Sequence, residues 1–544
     1  MKRRGMVVAT AVIALLATLV VFLPRLRREF FPEADAGAFE IYARAEAGTR
    51  IEKTVERVQK VEKVVREITG DDLQDTISEI GVVADWSAAY TPNSGPMDSI
   101  IKVQLKAERT KSAQQYVGLL RKTLATHPDH DISGFEYAFD AGGMIRSAMN
   151  EGKSTPINIR ITGKDMNKAY QVADAIREQV KRINGVVDCR ILQRLNYPEY
   201  FVEVDQAKAA EIGLTQRDVM LNLVASLNSS VQFNKRNFWI DPDNHNQYYV
   251  GVQYPEKDIQ SLDALKDVVI TSPSQEKSIP LRNVAEVSWK EIPAEVTHTT
   301  LQATIDLTMG VDSRDLGHVC DDVVKVINQF GARRKGASWQ PYDPDAKERK
   351  LLEGSKIELT GEYTRMQDTF SSMGLGLVLA SLLVYFLMVA LFRSWLSPLV
   401  ILSAVPIGLI GVVLMLYLTH TAINVQSLLG VIFMVGIVVS NTVLMVDFAQ
   451  QLRRQEMLSP TDAIIKAASI RVRPVIMTAL AALFALIPMA LGLGRGSEAN
   501  IPLGRAVIGG LLAGLVTTLF VVPQVLDQVE KVARQRAPAA QSTP

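Results

Sequence analysis

MGLGLVLASLLVYFLMVALF, residues 373–392, runs twenty positions without a charge before Arg393. Twenty uncharged, mostly apolar residues at about 1.5 Å of rise make a helix roughly 30 Å long, the thickness of a bilayer's hydrocarbon. Water cannot satisfy the backbone there, so a spanning segment must bond its own amides, and a helix does so. Residues 373–392 are therefore predicted to cross a membrane.

Four more apolar stretches follow, at about 396–418, 424–448, 475–494 and 506–526, joined by short hydrophilic links. They predict a bundle of helical hairpins. At the other end, MKRRGMVVATAVIALLATLVVFLPRLRR (1–28) has a basic head and an apolar run of about 18 residues. That outline also fits a signal peptide, but Pro24 and arginines stand where a small-residue cleavage site would lie. A retained helix at 6–23 is the expectation, for six spans in all.

Basic residues favour the cytoplasmic side of short loops. Lys2, Arg3 and Arg4 precede the first span; Arg453, Arg454, Lys466, Arg471 and Arg473 separate the fourth and fifth; Lys531, Arg534 and Arg536 follow the sixth. Six crossings put all three groups on one side. Both termini are then cytoplasmic and residues 27–370 external, periplasmic in a Gram-negative cell. Arg25, Arg27 and Arg28 go against the rule locally.

The remaining composition excludes several classes. A net charge of +1 in 544 residues carries no nucleic-acid signature. Cys189 and Cys320 are too few for a disulfide scaffold and fit no metal spacing. A single bridge stays open, with two free thiols expected. No catalytic triad, phosphate loop or metal cluster appears, so neither an enzyme nor a cofactor is implied.

The external region repeats. Strand-like 38–46, helical 50–69, strands at 73–82 and 98–107, a helix near 112–126 and a strand near 132–139 form the order β-α-β-β-α-β, the split βαβ motif. The order recurs as 156–162, 165–184 and 187–193, then resumes at 300–309, 314–330 and 355–363. About 100 residues near 197–292, with strands and short helices of their own, interrupt the second copy.

This arrangement resembles half of a resistance–nodulation–division (RND) efflux permease of the drug-exporting branch. The resemblance covers nearly the whole chain and rests on FFPEADAGAFEIYARAEAGT (30–49), FRSWLSPLVILSAVPIGLIG (392–411), GIVVSNTVLMVDFA (436–449), RVRPVIMT (471–478) and GGLLAGLVTTLFVVP (509–523). The family's N-terminal half carries two adjacent aspartates in its fourth helix. Here that helix reads VSNTVLMVDF, so the chain resembles the C-terminal half. Met1 before the first helix leaves open a separately encoded half or a truncated gene.

The resemblance implies an α-helical membrane bundle of six transmembrane helices plus a large α+β periplasmic domain. That domain would hold two ferredoxin-like βαββαβ porter subdomains, the second interrupted by a docking subdomain. The implied boundaries are 1–26 for the first helix, 27–150 for the first porter subdomain, and 151–196 with 293–368 for the second. The docking subdomain would take 197–292, the five-helix bundle 369–530 and a cytoplasmic tail 531–544. Location in the inner membrane is implied, with proton-driven export of drugs or other amphiphilic small molecules. So are an N-terminal half bearing the aspartates, a trimer, a periplasmic adaptor and an outer-membrane channel.

No carboxylate lies deep in any expected span, and Asp447 reads as interfacial. By resemblance Ser440 takes the place of a lysine that pairs with the aspartates, Asn441 matches the family's asparagine, Thr478 its fifth-helix threonine, and Arg471 an arginine near the relay's cytoplasmic mouth. The expected proton relay is Ser440, Asn441, Thr478 and Arg471. Against it stands a plainer reading, in which small polar residues knit helices together at about 0.6 kcal/mol per contact. The lost lysine also admits a non-transporting scaffold or remnant, because a hydroxyl bonds a carboxylate without neutralising it.

Trp86 and Tyr90 lie in a loop that the family places over the drug path. Met97, Met144 and Met149 raise the heavy-metal-exporting branch, since thioethers suit soft cations, although methionine more often fills cores. Gly510 and Gly514 form a GxxxG pair for close helix approach. Pro406 and Pro488 are expected to kink their helices.

Overall fold

The computed structural model describes residues 4–32, 34–81, 93–141, 155–227, 229–230, 237–271, 277–346, 348–494 and 496–536. They form two compact units: residues up to Gln193 together with those from Val296 onward, and Arg194–Glu295.

The larger unit opens with α1 (Arg4–Val21), an apolar helix of 18 residues at the lower edge of spanning length. The chain then makes β1 (Ala38–Arg44), α2 (Ile51–Thr69), β2 (Leu73–Ile80), β3 (Asp98–Leu105), α3 (Ala113–Ala125) and β4 (Glu136–Asp140). The strands pair antiparallel in the order β2-β3-β1-β4. Alternation sends Phe39, Ile41 and Ala43 of β1 inward, and α2 covers that face with Val58, Val61, Val64 and Val65 at helical spacing.

A second sheet is built from β5 (Ile157–Thr162), α4 (Met166–Val180) and β6 (Val186–Ile191), rejoined after the other unit by β13 and β14 (Thr297–Thr299, Gln302–Val311). Then come α6 (Leu316–Phe330), β15 (Gly331–Arg333), β16 (Ser338–Pro341) and β17 (Lys356–Gly361). Its order is β13-β14-β5-β17-β16-β15, with β6 also on β14. Strands β15 and β16 had no expectation in the sequence, being three and four residues long. One face of β14 is apolar, through Ile305, Leu307 and Met309. The other buries Asp306, bonded by Asn158 at 3.0 Å and Arg160 at 3.2 Å. Both thiols are free, Cys189 half-buried and Cys320 buried.

The smaller unit pairs β7 (Tyr197–Val204) with β12 (Ala285–Ile292) over a core that includes Val219 and Leu223 of α5 (Gln216–Leu227). It also holds the two-stranded pairs β8–β9 (Phe238–Ile240, Gln247–Tyr249) and β10–β11 (Val269–Ile270, Ile279–Pro280).

Among the described residues five helical stretches are long and apolar enough to cross a membrane: Glu362–Phe392, Leu396–Leu418, Val425–Gln455, Pro460–Leu491 and Ser497–Lys531. In detail they are α7 (Glu362–Phe392), α8 (Leu396–Leu402) with α9 (Ala404–Leu418), α10 (Val425–Gln455), α11 (Pro460–Leu491), and α12 (Ile501–Val516) continuing into α13 (Val522–Arg536). The break between α8 and α9 falls at Ser403, just before Pro406, which has no amide hydrogen to carry the ladder through. By contrast α11 runs through both Pro474 and Pro488, ending three residues later. It also starts fifteen residues earlier than the apolar run, because Ser459 caps it by accepting from the Asp462 amide.

The strap after α1 ties bundle to sheets. Ile423 donates to the Arg27 carbonyl at 2.7 Å, Glu29 to the Ile423 carbonyl at 3.0 Å, and Gly317 of α6 to the Arg28 carbonyl at 2.9 Å. Any Cβ at position 317 would lie 2.6 Å from the Arg28 Cβ, so only glycine fits under the strap. One of the locally anomalous arginines thus has a structural use: Arg28 also pairs with Asp321.

Candidate functional site

Helix α10 decides the site. Asn424 caps it, accepting from Ser427 at 2.9 Å while Ser427 reciprocates. One turn further on, the helix surface divides. Val431, Met434, Val438, Thr442, Met445 and Ala449 are buried, at steps of three and four, against the rest of the bundle. The opposite stripe, Phe433, Gly436, Ser440, Leu444 and Asp447, is exposed.

The three adjacent polar residues are therefore separated by the helix's rotation of about 100° per residue. Ser440 is exposed and Asn441 half-buried, and both line a hollow of about 360 Å³ with Ile432, Phe433, Gly436 and Ile437. A Cβ at Gly436 would meet nothing within 4 Å, so the hollow is open there. Thr442 is wholly buried. Its hydroxyl donates to the Val438 carbonyl at 2.7 Å and lies 3.1 Å from the Thr518 hydroxyl.

Thr518 sits in a π-helical turn, Thr517–Val521, between α12 and α13. The helices reach hydrogen-bonding range because glycines thin the contact. A Cβ at Gly510 would fall 2.3 Å from Met434 Cγ, and one at Gly514 would fall 2.4 Å from Val438 Cγ2. A tighter crossing lies between α9 and α12, where a Cβ at Gly411 would stand 2.1 Å from the Gly509 carbonyl oxygen. Gly411 and Gly509 went unnoticed in the sequence because the pair is split between two helices.

Thr478 lies on an exposed face of α11, and its hydroxyl donates to the Val475 carbonyl at 3.1 Å within its own helix. Arg471 extends over Phe448 of α10, its guanidinium carbon 5.1 Å from the ring centre, a cation–π distance. Asp447 is exposed and accepts from Gln451 at 3.1 Å. The structure thus brings Ser440 to Asn441 and Arg471 to the next turns of the same helix; among the described residues the Thr478 hydroxyl bonds within its own helix and not to these three. A carboxylate that was not singled out, Asp527, is buried in α13. It takes a bond from Thr461 at 2.7 Å and pairs with Lys531 at 3.1 Å.

Trp86, Tyr90, Met144 and Met149 lie outside the described residues. Met97, just before β3, is fully buried.

A second hollow, about 450 Å³, lies where the strap, both sheets and the bundle meet; Phe30, Phe31, Phe139 and Arg121 line it. Arg121 of α3 grips Asp188 through two bonds, at 2.9 and 2.8 Å, and Asp312 at 3.0 Å, with Phe139 5.2 Å beneath its charge. Burial works to lower the pKa of Arg121, but the two carboxylates outweigh it and raise it. The clasp joins the first sheet's helix to the second sheet, from partners 67 and 191 positions away.

The signature of the AcrB/AcrD/AcrF family matches residues 1–529. Multidrug resistance protein MdtC of Cronobacter sakazakii is 27% identical over 532 residues, covering 95% of this chain and 46% of that protein. Protein HelA of Legionella pneumophila is 25% identical over 522 residues, covering 95% and 47%. The chain spans about half the length of the curated relatives it matches. A crystal structure of a heavy metal efflux pump superposes with a TM-score of 0.81 at 22% identity, covering 97% of this chain and 51% of that one. With helices fit to cross a membrane, a sheet-rich domain and this match along nearly its whole length, the chain belongs to the AcrB/AcrD/AcrF family of RND efflux permeases.

Proposed function

We propose that the chain is the C-terminal half of an inner-membrane RND permease that exports drugs or other amphiphilic compounds, driven by the proton-motive force. An N-terminal half would supply the aspartate pair. The observation that carries this reading is the position of Ser440 and Asn441 on the face of α10 that this chain's own bundle leaves uncovered. Polar groups in a membrane span face protein or water, so such a face fits a partner helix bearing the charges. Coverage of about half of each curated relative is in keeping with this, as is the similarity to the multidrug resistance protein MdtC.

The relay would comprise Ser440, Asn441, Thr478 and Arg471. The strand order β2-β3-β1-β4 supports a ferredoxin-like first porter subdomain, and the unit Arg194–Glu295 supports a docking subdomain inserted in the second. Helix α1 would complete six spans, with the sheets periplasmic. Trimerisation, an adaptor and an outer-membrane channel belong to the same reading. Trp86, Tyr90 and the aromatic hollow at Phe30, Phe31 and Phe139 would meet the apolar part of a substrate, with Arg121 and its carboxylates at the polar edge.

The experiment is co-expression of this chain with an N-terminal half in an efflux-deficient host, scoring resistance and its collapse by an uncoupler. The expected result is resistance only when both chains are present. No resistance to a broad compound panel, with both chains stably inserted, would overturn the pump reading in favour of a non-transporting remnant. A gain confined to soft metal cations would favour the heavy-metal branch, which the structural likeness to a heavy metal efflux pump raises.

A further inference from the structure

Where α10 ends, a hollow of about 780 Å³ opens between α10, α13 and the turn joining α7 to α8. Its walls are apolar, from Phe392, Leu526 and Val529, whereas Gln450, Arg453 and Arg454 stand along its polar side. Gln450 donates to Ser397 at 3.3 Å. Arg453 reaches Glu530, a half-buried carboxylate that also lines the hollow, at 3.4 Å, a long ion pair that leaves the exposed guanidinium free to turn to another acceptor. Among the described residues Arg454 has no hydrogen-bond or ion-pair partner at all. Two guanidinium forks beside an apolar slot are suited to a group that is anionic at one end and aliphatic at the other. Guanidinium matches the geometry of phosphate oxygens with paired bonds.

The level of the hollow selects the ligand. Trp395, 65% exposed, and Met457, 88% exposed, flank it, and α7 reaches it directly from a stretch of spanning length. An exposed tryptophan at the end of a span marks the headgroup layer. Basic pockets between helices on the cytoplasmic side attract anionic headgroups.

We propose that this hollow binds the phosphate of an anionic phospholipid, with the arginines on the headgroup and the acyl chains against Phe392 and Val529. The inference rests on the bundle lying in a membrane, not on transport. Phosphate chemistry is shared with free inorganic phosphate, and the test separates the two sources.

The full chain is reconstituted in phosphatidylcholine vesicles containing brominated phosphatidylglycerol or brominated phosphatidylcholine. Tryptophan quenching is read as the difference from Trp395→Phe, which isolates the signal of Trp395 beside the hollow. Brominated phosphatidylglycerol is expected to quench Trp395 at several-fold lower mole fraction, with roughly fivefold of preference from each arginine. Arg454→Gln alone should lower the preference about fivefold, and Arg453→Gln with Arg454→Gln should abolish it. Arg473→Gln, a basic change outside the hollow, should leave it intact. Equal quenching by the two lipids in the unaltered chain overturns the proposal. So does a preference that survives the double change, or one lost equally with Arg473→Gln. Erasure of the preference by millimolar inorganic phosphate would make the free ion, not the lipid, the ligand.

Discussion

The hydroxyls of Thr442 and Thr518 meet at 3.1 Å in the interior of the helix bundle, 76 positions apart in the chain. Of the three adjacent polar residues in α10, this is the one that knits helices, and it does so at a π-helical turn where the backbone register slips by one residue. Replacing Thr442 with Val keeps the shape and removes the bond. The expected loss is about 0.6 kcal/mol of bundle stability, with an upper bound near 1.7 kcal/mol. A double-mutant cycle with Thr518→Val, read by denaturation in detergent, should recover that coupling; zero coupling would show the hydroxyls to be independent.

Glycines in the bundle divide by what a side chain would meet. Gly411→Ala and Gly509→Ala each drive a Cβ into the other helix's backbone, so each should destabilise by about 1–3 kcal/mol or more. Gly436→Ala meets nothing and should be neutral or stabilise the isolated chain by up to about 1 kcal/mol through helix propensity. If the face at Gly436 carries a partner helix, the same change should impair the assembled pump while leaving this chain's melting unaffected.

Arg121→Ala leaves the Asp188 carboxylate, 4% exposed, without its counter-charge. Breaking a buried pair from one side costs about 3–5 kcal/mol. Asp312→Asn, at a side chain 43% exposed, should cost well under half of that. Amide hydrogen exchange along β6 gives the readout: faster exchange is expected for Arg121→Ala, with little change for Asp312→Asn.

Asp72 carries an acid signature. The Tyr116 hydroxyl donates to its carboxylate at 2.6 Å, and Thr110 adds two bonds at 2.7 Å. The Tyr116 bond first, and the Thr110 bonds after it, pull the pKa from 3.8 to about 2. A carboxyl whose folded pKa is depressed stabilises the fold fully above its unfolded pKa and loses that contribution as pH falls towards its folded pKa. Stability should therefore decline between pH 3.8 and about 2, and Tyr116→Phe should flatten that decline in an acid titration followed by circular dichroism.

Asn441→Ala combined with Thr478→Ala should lower transport by the complete pump roughly tenfold or more, about 1.4 kcal/mol of barrier. The isolated chain should melt normally, since neither side chain is buried. Unchanged transport would remove both residues from the relay.

Much of the fold is legible locally. The alternation in AFEIYAR and the valine spacing in α2 already specify a strand and the helix that covers it. The twenty uncharged residues of 373–392 fall within a spanning helix, whose extension back to Glu362 was hidden because its first turns are polar. The GxxxG pair at Gly510 was legible as a close approach, because both glycines lie on one helix; Gly411 was not, because its partner lies on another. The site was legible only in outline: Ser440 and Asn441 share a face, but nothing local told them apart from Thr442.

What the sequence by itself determined is which segments are strands, which are helices and which of those suit lipid. These follow from periodicity and from the cost of unpaired backbone, both of which act over a few residues. Only the tertiary structure decided that Thr442 turns inward to Thr518 while Ser440 and Asn441 look out, and that Arg121 clasps Asp188 and Asp312. It alone also set Arg453 and Arg454 beside an apolar slot. Each of those outcomes depends on which face of one element meets which face of another, and packing settles that choice between residues far apart in the chain.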